Sequence, residues 1–249
     1  MNNIFLFDID GTLSINGIIP NSAKEIIKKI RKNGDLVLLA TGRCSFQLDD
    51  IKKEIEYDGA IMNNGGYIVV NNRIINKHPI SIDAINRLKD MGYYVTYLNQ
   101  NFYARIDNHK IYKEFADYFK IKEAILMPKD ILKEEIYSLG VYTYEPDKLD
   151  KSLFPELDFV LVAPLGFDVI ASGISKGSGV SDLRKIYKGY KIIAFGDNYN
   201  DLEMLNAADI SIVMPKSPKE LKDIASFVTK EPLDDGIYYA IKEYLKYEN

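Results

Sequence analysis

The chain has one cysteine, no tryptophan and only two histidines among its 249 residues. A single thiol, Cys44, closes no internal disulfide, and without paired CxxC clusters there is no structural zinc site, so a reducing cytoplasm is the expected setting. Cys44 has no His partner evident nearby and reads as a buried structural residue rather than a nucleophile. Long apolar runs are also missing. The opening stretch Ile4–Phe7 is broken at Asp8, too short for a signal peptide or a membrane span, and no later segment approaches membrane length. Nor is there a basic excess. With 32 Lys and Arg against 36 Asp and Glu, the formal net charge of −4 gives no footprint for a polyanion, and neither nucleic acid nor membrane is expected as a partner.

What is present is ample apolar material for one large α/β domain, or for a core carrying a smaller inserted one. Ile4–Phe7, Leu36–Ala40 and Ala60–Met62 are short, wholly apolar runs, as expected of strands buried on both faces. Between the first two, Ala23, Ile26, Ile27 and Ile30 recur at helical spacing and Gly34 ends the helix; a second helix is predicted over Phe46–Ile55. This is the βαβ rhythm of a parallel sheet. Tyr67–Val70 and Arg73–Ile75 flank Asn71-Asn72 and read as a hairpin. From about Ile80 to Pro164 the pattern changes to helices at 82–91 and 110–119 and strands near 93–98, 102–107 and 136–143, with an apolar run at 158–163. That segment reads as an inserted α+β domain. The βα rhythm then returns with Phe167–Ala171, helix 176–187, strand Ile192–Phe195, helix 200–207, strand Ile210–Val213 and helices 217–225 and 235–247.

Four short segments, all at predicted strand ends or helix starts, contain the polar residues that phosphoryl transfer needs. In Asp8-Ile9-Asp10-Gly11-Thr12, two carboxylates at i and i+2 follow a buried strand, one able to act as nucleophile and the other as acid and then base, while Gly11 allows a sharp turn. Ala40-Thr41-Gly42-Arg43 offers a hydroxyl and backbone amides to phosphate oxygens. Lys176 opens a helix in Ser175-Lys176-Gly177, where an ammonium and free amides favour an anion. Gly196-Asp197-Asn198-Tyr199-Asn200-Asp201 concentrates hard oxygen ligands suited to Mg²⁺.

In order and spacing these segments resemble the four motifs of the haloacid dehalogenase (HAD) superfamily, within its Cof-like, type IIB sugar-phosphatase group, and Asn63-Asn64-Gly65 resembles the segment that precedes the cap in that group. The resemblance implies a doubly wound, Rossmann-like parallel-sheet core over 1–80 and 165–249 with an inserted α+β cap domain over 81–164. It implies Asp8 as the nucleophile forming an aspartyl-phosphate, and Asp10 as acid/base that also lends a backbone carbonyl to the metal. Thr41, Gly42, Lys176 and Asn200 would contact phosphate, Lys176 also holding the nucleophile. Asp197 would join Asp8 and Asp10 around Mg²⁺, and Asp201 would orient the metal-bound water or the lysine. Arg43 would bind substrate or form a structural ion pair.

The expected activity is Mg²⁺-dependent hydrolysis of a small phosphorylated metabolite, a sugar phosphate above all, by a monomer or homodimer. A phosphomutase of the same superfamily and a phosphoacceptor signalling domain are the alternatives. Asp10 argues against the signalling domain, since a second carboxyl group drives turnover. The insert would act as a lid that chooses the leaving group, and within it His109, Arg105 and the tyrosines 93, 94 and 97 read as packing or surface residues.

Overall fold

A computed structural model of the chain describes residues 2–119, 124–127 and 129–247. Its strands in chain order are β1 (Asn3–Phe7), β2 (Leu36–Ala40), β3 (Gly59–Met62), β4 (Tyr67–Val70), β5 (Arg73–Lys77), β6 (Tyr94–Leu98), β7 (Tyr103–Arg105), β8 (Ile125–Leu126), β9 (Ser138–Tyr142), β10 (Leu157–Ala163), β11 (Gly166–Ala171), β12 (Lys191–Gly196), β13 (Ile210–Val213) and β14 (Phe227–Val228). They form an eight-stranded sheet ordered β14-β13-β12-β1-β2-β3-β4-β5 and a six-stranded sheet ordered β10-β11-β9-β6-β7-β8.

In the larger sheet, β14 through β3 run parallel and the β4–β5 hairpin is antiparallel. Asn71 and Asn72 both take positive φ in its turn (49° and 60°), the conformation that a two-residue hairpin loop requires. The apolar runs of the parallel strands supply both faces. Phe5, Phe7, Val37 and Leu39 pack against Ile26, Ile27 and Ile30 of the helix Asn21–Lys32, while Ile4, Leu6, Leu38 and Ala40 pack against Val180 and Leu183 of the helix Lys176–Ile186. Helices thus cover both sides. After β1 the chain builds outward through β2 and β3, and later returns to add β12, β13 and β14 on the other side. The strand order therefore reverses between β1 and β12, and the crevice beyond their carboxyl ends is where such sheets bind ligands.

The smaller sheet holds the inserted segment. Val95, Tyr97, Leu139, Val141, Phe167 and Val169 point to one face and bury against Ala84, Ile85 and Leu88 of the helix Ile82–Asp90. On the opposite face, Tyr103 and Tyr142 pack with Ile111, Tyr112 and Phe115 of the helix Lys110–Phe119 and with Cys44 of the core, which is fully buried.

One strand lies elsewhere than the sequence suggested. Phe167–Ala171 was expected in the core, beyond a boundary at 164/165, but β11 pairs antiparallel with β9 and β10 in the smaller sheet, so the chain re-enters the core at about 172–175. The reason is visible in its alternation. Phe167 and Val169 are buried while Asp168 is exposed, the pattern of a strand covered on one face, whereas the core strands are buried on both.

The helices are also shorter than their apolar periodicity implies. The expected 46–55 helix is a 3₁₀ turn (Ser45–Leu48) followed by Asp49–Glu54. The expected 200–207 helix is likewise Tyr199–Asp201 followed by Leu202–Ala207, and the closing one divides into Gly236–Tyr239 and a π turn at Ala240–Tyr244. The described part of the 110–119 helix agrees with expectation; residues 120–123 lie outside the described structure. Among the described residues no helix is long and apolar enough to cross a membrane.

Candidate active site

The four segments meet at the carboxyl edge of β1, β2 and β12. Parallel register aligns Phe7 with Phe195 and Leu39, so the residues just beyond them face one crevice. Asp8 follows β1 directly; its N–H donates to the Phe195 carbonyl at 2.9 Å, which fixes the start of the loop against the neighbouring strand. Gly11 then turns the chain with φ +96°. A Cβ there would come 2.3 Å from Asp197 Oδ2, so glycine is required both by conformation and by the closeness of the two loops. Thr12, absent from the expected site, donates from Oγ1 to Asp197 Oδ1 at 2.8 Å.

Lys176 sits at the centre of the cluster. Its Nζ donates to Asp8 Oδ1 at 2.7 Å and to Asp201 Oδ1 at 2.6 Å, and the ammonium is fully buried. Ser175 caps the helix that presents it by accepting from the N–H groups of Gly177 and Ser178. Asp201 uses its other oxygen to accept from the N–H groups of Asp197 and Asn198, at 2.9 and 3.2 Å. Each of its oxygens is therefore engaged, and it serves as a brace between lysine and loop.

Asp8, Asp197 and Asp201 can each place an oxygen within 4.8 Å of the others. Burial pushes the Asp8 carboxyl well above the usual carboxylate range; Lys176 opposes the rise, and the charges of Asp201 and Asp197 add to it. Asp197 is raised too, by burial first and then by Asp201. For Lys176, burial alone would lower the ammonium, but Asp8 and Asp201 outweigh it and hold the group above its ordinary value. Three crowded carboxylates thus share one cation. Because Asp201 is committed on both oxygens, Asp8 and Asp197 keep the acceptor capacity, a hard oxygen donor set that fits a divalent ion such as Mg²⁺.

Asp10 does not join this cluster. Past the strand end its exposed carboxylate is held by Arg43, Nη2 to Oδ1 at 2.5 Å and Nε to Oδ2 at 2.9 Å, so the two aspartates of the first segment have different partners. Thr41 is buried and accepts the Arg43 N–H on Oγ1 at 3.1 Å, shaping the turn that carries the arginine. Gly42 leaves room for the Asn64 side chain, whose amide would lie 3.1 Å from a Cβ there. Asn200 donates to Asn64 Oδ1 at 3.4 Å.

A cavity of about 520 Å³ opens from Lys176, Asn64 and Asn200 toward Asp158, Val160, Asp168 and Ile170 of the smaller sheet. The sequence reading singled out none of these four: it placed Asp158 and Val160 in the inserted domain without a role and assigned the strand of Asp168 and Ile170 to the core, where a lone Asp between apolar neighbours in an alternating strand was the available signal. Near the cavity the Asn63–Gly65 turn of the core touches both the return crossing and the smaller sheet. A Cβ on Gly65 would lie 2.2 Å from the Ser175 carbonyl oxygen, and Asn63 Nδ2 donates to Ser138 Oγ at 3.2 Å. Of the inserted residues considered earlier, His109 stacks on Tyr94 and Arg105 bonds the Ala124 carbonyl, and neither lines this cavity.

A buried carboxylate clamped by a lysine, with two further aspartates beside it, thus lies over the switch point of a parallel sheet. The model of the haloacid dehalogenase-like hydrolases matches residues 5–241, and the chain belongs to that family. YkrA of Bacillus subtilis (strain 168), named provisionally as a phosphatase, is 31% identical, with 97% of each chain covered. The phosphatase BT1666 from Bacteroides thetaiotaomicron has a TM-score of 0.86 at 26% identity, covering 98% of this chain and 95% of its own. The HAD subclass IIB sugar phosphatase BT4131 has a TM-score of 0.78, also at 26% identity, covering 98% of this chain and 99% of its own. The chain is a phosphoric monoester hydrolase of the HAD type, with a cap of the kind these structures share.

Proposed function

We propose that the enzyme hydrolyses a small phosphomonoester, a sugar phosphate in the first instance, through an aspartyl-phosphate on Asp8, with Mg²⁺ as cofactor. The observation that carries this reading is the Lys176 clamp, which fixes the buried Asp8 carboxylate beside the further acceptor Asp197, the lysine itself lining the cavity. Asp8 and Asp197, with the Asp10 carbonyl as the family resemblance implies, would hold a Mg²⁺ ion, which when bound would supply the positive charge that lets a carboxylate approach a phosphate dianion. Lys176 neutralises part of the charge on Asp8 and fixes its direction, so little reorganisation is needed as the phosphorus is attacked.

Asn200 lines the cavity, and with Thr41, Gly42 and Arg43 of the loop after β2 it would receive the phosphoryl oxygens. The Arg43–Asp10 pair is solvent-exposed, and such pairs are worth roughly 0–1 kcal/mol, so a phosphate can draw the guanidinium away at little cost. That exchange frees Asp10 to take up a proton from solvent, to give it to the departing alkoxide, and then to accept a proton from the water that cleaves the acyl-phosphate, restoring Asp8. The likeness to a subclass IIB sugar phosphatase supports the sugar-phosphate class.

The test is phosphate release from a panel of sugar phosphates, other small esters and an aryl phosphate, with Mg²⁺ or EDTA, for wild type and Asp8→Asn. Release is expected to need the metal and to fall in the variant by about a thousandfold or more, roughly 4 kcal/mol of transition-state stabilisation. Release that survives in Asp8→Asn would remove Asp8 as the nucleophile, and an isomerised sugar phosphate formed without free phosphate would identify a mutase.

A further inference from the structure

The cavity beside Lys176 has a second wall that the phosphatase reading leaves unused. Because Phe167 and Val169 are buried in the smaller sheet's core, the alternation of β11 turns Asp168 and Ile170 toward the cavity, and β10 adds Asp158 and Val160. Three carboxylates line the space: Asp158, Asp168 and Glu203. Two of them are occupied. Asp158 accepts from Ser172 Oγ at 3.1 Å and from the Gly173 N–H at 2.7 Å, and Glu203 accepts from Ser175 Oγ, so both hold the return crossing in place.

Asp168 differs. Among the described residues it has no hydrogen-bond or ion-pair partner, although its carboxyl group faces the cavity. Lys176 is the only cation among the described residues that line this space, and it is committed to Asp8 and Asp201. A ligand seated here therefore meets negative charge and empty acceptor positions at the end away from its phosphate, with Val160 and Ile170 available to a carbon skeleton.

We infer that this wall selects the leaving group by charge: the substrates are phosphomonoesters whose alcohol half is neutral or cationic and bears hydroxyl or ammonium donors, and Asp168 is the specificity-determining residue that rejects a second anion. A hydroxyl or ammonium satisfies the open acceptors of Asp168, the ammonium with a charge-assisted bond. A carboxylate or second phosphate in the same place finds no cation and is set against a like charge, which is discrimination by repulsion. The inference rests on the phosphatase reading and names the substrate class for that same site.

The experiment compares kcat/KM for glucosamine 6-phosphate, glucose 6-phosphate and 6-phosphogluconate, three esters of similar size that differ in the charge of the alcohol half, with an aryl phosphate alongside. In the wild type the ammonium ester should exceed the carboxylate ester by at least about tenfold, with the neutral one between, and most of the difference in KM; one unit charge near another is worth that much at an effective dielectric between protein and water. Asp168→Asn keeps size and removes charge, so the ratio should shrink several-fold, while Asp168→Glu should keep it. Equal kcat/KM for the three esters in the wild type, or a ratio unchanged in Asp168→Asn, would overturn the inference and leave the phosphatase reading standing. No release from any ester, the aryl phosphate included, would overturn the hydrolytic reading and this inference with it.

Discussion

Replacing Lys176 by methionine removes the countercharge of a buried carboxylate cluster while keeping an unbranched side chain of similar length. The ammonium is fully buried and bonded at 2.7 and 2.6 Å, so no solvent takes its place. Breaking a buried pair from one side costs about 3–5 kcal/mol, because the partner charge is left uncompensated. In a chain of this size each kcal/mol lowers Tm by about 2–4 °C, so Lys176→Met should melt about 6–20 °C below wild type in EDTA, followed by circular dichroism. Adding Asp201→Asn removes one stranded charge. The double variant should therefore recover part of the loss, with a coupling of at least about 1 kcal/mol relative to the two single changes. Phosphate release by Lys176→Met should fall by about a hundredfold or more even where the protein is folded, since the orientation of Asp8 goes with the lysine. A Tm within about 1 °C of wild type, or strictly additive effects of the two substitutions, would refute the idea that Lys176 compensates these carboxylates.

Two further outcomes follow from the same geometry. Gly11→Ala sets a Cβ 2.3 Å from the Asp197 carboxylate at a φ of +96°, so the variant should need a severalfold higher Mg²⁺ concentration for half-maximal phosphate release; an unchanged Mg²⁺ titration would show that Asp197 is free to move. The leaving-group preference should also depend on pH. Although Asp168 is open to solvent through the cavity, the protein packed around it desolvates its carboxyl group and pushes it up to about 6, so its charge is present above that pH and is lost as pH falls through it. Asp158 lines the same wall on β10, Glu203 and Lys176 line the cavity with it, and Tyr142 stands near it on the adjoining β9. The kcat/KM ratio of the ammonium to the carboxylate ester should contract between pH 7.5 and pH 5, the shared phosphate cancelling in the ratio; a ratio that holds or widens would sink the expectation.

The catalytic half of the site was legible in the sequence because its chemistry is local. A parallel strand buried on both faces must be apolar throughout, so the place where Ile4–Phe7, Leu36–Ala40 and Ile192–Phe195 give way to Asp, Thr and Gly marks the carboxyl edge of the sheet before any pairing is known. Lys176 was harder to place, since nothing local distinguishes a lysine with two buried carboxylate partners from one in water. It became readable only through its order relative to the other three segments.

The wall that β11 lends to the cavity was only partly legible, for a different reason. An antiparallel strand covered on one face and a strand at the edge of the core differ only in which neighbour they join, and the residues of β11 do not state that β9 and β10 are their partners. Once the pairing is known, the period of two does the rest. It sends Phe167 and Val169 inward with the helix Ile82–Asp90 and leaves Asp168 on the side of the catalytic loops. A strand slipped by one residue would bury the carboxylate and turn Phe167 toward the phosphate. The register of this single strand thus decides both the stability of the cap and the charge its substrate meets, which makes β11 the element through which leaving-group preference can change without disturbing Asp8, Lys176 or Asp197.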